Sequence, residues 1–125
     1  MRDDGATVPQ LENCYLHYTS REAAQGIVAT GIMRPGRSGR VYLTRTLYTV
    51  GAQAVDQLSI TGKPVEVALF ISVDQVPSTV GPLPVEPLQD AEGNPLRNGG
   101  GVEFTVERPI RAPRDPGTWL TLGEI

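Results

Sequence analysis

Val65 to Val73 is dense in Val, Leu, Phe and Ile. A stretch so rich in β-branched and large apolar side chains is expected as a buried central strand. The chain has 125 residues, which suits one hydrophobic core and one domain. The rest must therefore fold around that strand. It holds 14 glycines and 11 prolines, so turns and short strands are expected, with few long helices.

Other segments fit this frame. Residues 1 to 10 read as a flexible lead-in, and 11 to 125 as a single domain. Cys14, Leu16 and Tyr18 alternate between Leu11 and Tyr18, which suits a strand. Thr19 or Ser20 can cap a helix that places Ala23, Ala24, Ile27 and Val28 at helical spacing. Gly31 stops it. Gly36-Arg37-Ser38-Gly39 reads as a turn, Val41 to Thr44 as a strand, and Leu47 to Leu58 as a second helix with Val50, Ala54 and Leu58 on one face. Residues 77 to 101 are loop-like, with a short strand through Val80, Leu83 and Val85. Val102, Phe104 and Val106 then alternate with Glu103, Thr105 and Glu107. The order strand, helix, strand, helix and then mostly strands predicts an α+β fold with two short helices.

Composition excludes several classes of protein. The net charge of −3 advertises no nucleic-acid surface. Arg34, Arg37, Arg40 and Arg45 cluster, as do Arg108, Arg111 and Arg114, and such runs read as solvated faces. The single cysteine, Cys14, cannot form an intrachain disulfide and suits an apolar filler. One His and one Cys argue against a zinc site. No apolar run approaches the ~18 residues of a membrane span. The polar start, Met1 to Gly5, lacks a signal-peptide stretch.

Three segments carry chemistry: Leu16-His17-Tyr18-Thr19-Ser20, Gly39-Arg40-Val41-Tyr42-Leu43-Thr44 and Gly100-Gly101-Val102-Glu103-Phe104. They bring together an imidazole, two phenols, small hydroxyls and a carboxylate. Imidazole exchanges hydrogen bonds with a hydroxyl. An aromatic face stacks on a flat ring. A carboxylate stabilises positive charge developing on a sugar. Each also has a plain structural role: a strand histidine, a half-buried strand tyrosine, and a solvent-facing glutamate with Glu107 on the same face. Tyr18 and Tyr48 read mostly as core.

Over residues 15 to 44, and more weakly over 99 to 106, the chain resembles ADP-ribosyltransferase toxin domains of the His-Tyr-acidic polymorphic-toxin type. The resemblance implies a split, strand-rich α+β fold that clamps NAD, as co-substrate and without a metal, in a cleft. It maps ribose binding onto His17, nicotinamide packing onto Tyr42 and the catalytic carboxylate onto Glu103, where some members carry Asp. Tyr18, Thr19 and Thr44 would border the ligand, and Arg34 or Arg37 would reach its pyrophosphate. Arginine-modifying members of the superfamily have a second acidic residue where this chain has Gly101, which speaks against an arginine acceptor.

The implied activity transfers ADP-ribose from NAD to a macromolecule, a protein rather than a nucleic acid, with nicotinamide released. The implied setting is a secreted or contact-delivered antibacterial effector that acts in a recipient cytoplasm, is neutralised by a cognate immunity protein and has no membrane partner. An NAD glycohydrolase and a catalytically inert binding module are the alternatives. They separate on whether His17, Tyr42 and Glu103 converge on one cleft.

Overall fold

A computed structural model describes residues 11–76, 78–111 and 119–123. The expected lead-in, residues 1–10, lies outside the described residues, as does Arg114. The protein is a small, strand-rich α+β fold with two helices, and the described strands close no barrel.

Strand β1 (Cys14–Thr19) leads into helix α1 (Arg21–Thr30). Ser20 caps the helix, its Oγ accepting from the Ala23 amide at 3.1 Å. Gly31 ends it in the left-handed region at φ 73°, where a Cβ would be strained. The short strands β2 (Ile32–Met33) and β3 (Val41–Leu43) follow, then helix α2 (Gly51–Gln57). That helix starts later than its periodicity suggests. Val50 is extended and supplies no side-chain cap, while Gly51 approaches the Val65 carbonyl so closely that a Cβ would sit 2.5 Å from it.

Strand β4 (Val67–Ser72) is the expected buried strand. It runs antiparallel between β1 and the late strand β10 (Trp119–Thr121). Its residues alternate between two cores. Val67, Leu69 and Ile71 pack with Ala24 and Val28 of α1. Ala68 and Phe70 pack with Leu16, Tyr18, Tyr48 and Ala54 on the α2 side.

The segment expected to be mostly loop is more ordered than its Pro and Gly content suggests. It contains β5 (Val80–Pro84) and a small hairpin, β6 (Leu88–Gln89) with β7 (Pro95–Arg97). The hairpin turn is built by Asp90, whose carboxylate accepts from the Glu92 and Asn94 amides. Strand β8 (Val102–Val106) then lies between β3 and β5 as the centre of a second sheet. Strand β9 (Ile110–Arg111) pairs with β2.

The first arginine cluster divides. Arg34, Arg37 and Arg40 are exposed. Arg45 instead lies over the rings of Tyr15 and Phe104, at 4.9 and 5.5 Å from their centroids. Among the described residues no helix is long and apolar enough to cross a membrane.

Candidate active site

One isolated backbone bridge joins the two main sheets among the described residues. The Leu16 amide donates to the Thr44 carbonyl at 2.7 Å, and the Thr44 amide returns a bond to Leu16 at 3.0 Å. This bridge is isolated, with no ladder between β1 and β3 beyond it. One residue on, the His17 side chain takes the place of backbone pairing: its Nδ1 bonds the Tyr42 carbonyl at 2.9 Å. A carbonyl only accepts, so Nδ1 is assigned the hydrogen and Nε2 keeps its lone pair. Burial pushes the His17 pKa down to about 4. The Tyr42 carbonyl opposes that shift and the Lys63 ammonium adds to it. The imidazole is therefore neutral near pH 7.

Tyr42 and Glu103 reach the same place through strand register. Val41 and Leu43 turn into the α1-side core. Tyr42, between them, presents its ring on the other face and remains 42% exposed. It stands opposite Thr105 of β8. Glu103 is two residues before Thr105 and so projects from the same face, diagonal to Tyr42 at roughly 7–8 Å between backbones. No described residue hydrogen-bonds the Glu103 carboxylate. Burial raises its pKa, and the Arg40 guanidinium pulls it back.

His17, Tyr42 and Glu103 all line one cleft of about 540 Å³. That volume falls in the range of roughly 300–1,000 Å³ common for small-molecule sites. The facing walls come from Leu58 to Thr61, from Lys63 and from Pro84 to Glu86. Ser59 ties two of these walls together, its hydroxyl donating to the Glu86 carbonyl at 2.7 Å.

The other expected residues divide. Tyr18 and Thr44 border the cleft, but their hydroxyls are engaged. Tyr18 Oη donates to the Thr46 carbonyl at 2.8 Å and accepts from the Tyr48 amide at 2.6 Å. Thr44 Oγ1 donates to the Val102 carbonyl at 2.7 Å and clamps the start of β8 one residue before Glu103. Thr19 is 1% exposed and lies behind the cleft, where it accepts from Lys63. Arg34 and Arg37 are exposed and do not line the cleft. Glu107, which shared a face with Glu103 in the sequence, instead pairs with Arg40 at 3.5 Å outside the cleft.

The three glycines before β8 have their amides engaged within the fold. The amides of Gly99, Gly100 and Gly101 donate to the carbonyls of Asp56, Val85 and Gln57. A Cβ on Gly101 would lie 2.9 Å from both the Gln57 carbonyl and Tyr48 Oη, so this position accepts no side chain without a shift.

Lys63 and the 58–61 wall escape a motif-based reading. Their only signal is the Gly62 and Pro64 punctuation of a loop between helix and strand. No family model, curated protein or solved structure matches the chain.

Proposed function

We propose that this protein is an NAD-dependent ADP-ribosyltransferase with the split ADP-ribosyltransferase-like fold. The observation that carries the reading is the convergence of His17, Tyr42 and Glu103 on one cleft at the seam between the sheets.

The roles follow from the state of each group. Neutral His17 offers the Nε2 lone pair to a ribose hydroxyl. Tyr42 offers an exposed ring to the nicotinamide. Glu103, with no donor among the described residues bound to its carboxylate, is placed to hold the nicotinamide-side ribose and to stabilise its charge. The bond between ribose C1′ and the nicotinamide nitrogen breaks, and its electron pair leaves with the ring. The sugar takes on oxocarbenium character opposite the carboxylate. A nucleophile on the acceptor then bonds C1′ and loses its proton. Glycine at position 101, with no room for a carboxylate, supports an acceptor other than arginine. The same reading has a delivered toxin acting on a target in a recipient's cytoplasm and held in check by an immunity protein.

The test is nicotinamide release from labelled NAD by wild type and Glu103→Gln, with and without cell lysate. The expected result is lysate-dependent release with label on one macromolecule, reduced at least about a hundredfold in Glu103→Gln while NAD still binds. Release without lysate would make the protein a glycohydrolase. No release in either condition from folded protein would favour a binding module.

A further inference from the structure

Lys63 is the feature of the cleft that these roles do not use. It lies in the loop between α2 and β4 and lines the cleft wall. Its Nζ donates to Thr19 Oγ1 at 3.2 Å. Thr19 is almost completely buried at the end of β1, so this hydroxyl is a fixed anchor. Among the described residues no carboxylate pairs with Lys63. Glu86 and Glu103 line the same cleft without bonding to it, and the exposed ion pair of Arg40 lies with Glu107. The ammonium is thus held by a neutral oxygen, with two of its three hydrogens free of that anchor. Loss of water also draws its pKa below the usual lysine range, a cost that a bound anion offsets.

The strands that carry the candidate residues run in the order β1, β3, β8 across the seam. Lys63 leans on β1 and lies close enough to influence His17. Tyr42 follows on β3, and Glu103 on β8. A ligand matching this order carries an anionic group next to the sugar held by His17 and a cationic ring toward Tyr42 and Glu103.

We propose that Lys63, anchored by Thr19, is the phosphate-binding residue of the cleft and selects ligands in which a diphosphate joins two nucleoside halves. This rests on the dinucleotide reading above and assigns to Lys63 the part that the resemblance implied for Arg34 or Arg37.

The test compares ADP with adenosine by calorimetry, independently of turnover. Wild type should bind ADP about tenfold or more tightly than adenosine, with the difference shrinking as salt is raised. Lys63→Met should remove the preference and leave adenosine binding unchanged, whereas Lys63→Arg should keep most of it. Thr19→Val retains the charge but loosens it, so a partial loss is expected. Equal binding of ADP and adenosine by wild type, or an ADP preference that survives in folded Lys63→Met, would overturn the assignment. The nicotinamide assay reads out separately. Lys63-dependent ADP binding without NAD cleavage would keep the phosphate site and discard the transferase. Cleavage with an unchanged ADP preference in Lys63→Met would do the reverse.

Discussion

At the residue scale, His17 shows how a single side chain can end a sheet and furnish a site. Its Nδ1–H satisfies the Tyr42 carbonyl where backbone pairing stops. Loss of water around the ring holds its pKa near 4, against 6.5 for a free imidazole. Between those two values the unfolded chain binds a proton that the folded chain refuses. Stability is therefore unaffected above pH 6.5 and falls as pH drops from 6.5 toward 4. The full effect is about 3 kcal/mol. In His17→Asn the amide replaces Nδ1–H and does not titrate in this range. Urea unfolding at pH 7 and pH 4.5 should show wild type losing more stability than the variant on acidification. Equal losses would place the imidazole in water. The His-Tyr-Thr segment made His17 visible in the sequence. Lys63 carried no such mark, because nothing in the sequence around a lysine in a polar loop says that it lines a cleft.

At the element scale, the entry to β8 sets the position of Glu103. Thr44 holds the Val102 carbonyl from one side, and Gly101 lies against α2 on the other. Gly101→Ala forces its Cβ against the Gln57 carbonyl and Tyr48 hydroxyl, and should cost about 1–3 kcal/mol. Gly26 gives the opposite sign. It lies in the exposed middle of α1, where an added Cβ would meet nothing within 4 Å, so Gly26→Ala should stabilise by about 0.5–1 kcal/mol. Thermal melts of the two variants check both values. A neutral Gly101→Ala would mean that the strand entry gives way, and that the glycine is a tolerance rather than a requirement. Local signals located β1, α1, β3, β4 and β8 well, because periodicity and caps are properties of neighbouring residues. They missed the β6–β7 hairpin. Its strands are two and three residues long, too short for alternation to register.

At the scale of the whole molecule, one backbone bridge joins the two sheets, and the cleft belongs to both. His17 comes from the β1–β4–β10 sheet, and Tyr42 and Glu103 from the β3–β8–β5 sheet. A ligand in this cleft should couple them. ADP-ribose at a hundred times its dissociation constant should stabilise the fold by about 2.7 kcal/mol. Hydrogen exchange should then slow in both β1 and β8. Protection confined to one sheet would place the ligand elsewhere.

The sequence by itself determined the α+β class, a buried central strand within Val65 to Val73, the Gly31 stop of α1 and the three short segments that hold the candidate site residues. All of these follow from composition and from the spacing of near neighbours. Only the tertiary structure decided which candidates share a cleft. It kept His17, Tyr42 and Glu103 there, left Tyr18 and Thr44 with their hydroxyls engaged, set Thr19 behind the wall, left Arg34 and Arg37 outside the cleft lining and placed Lys63 in it. The physical reason is that a side chain's reach depends on strand register and on the point where the two sheets part. Both are fixed by contacts between residues far apart in the chain.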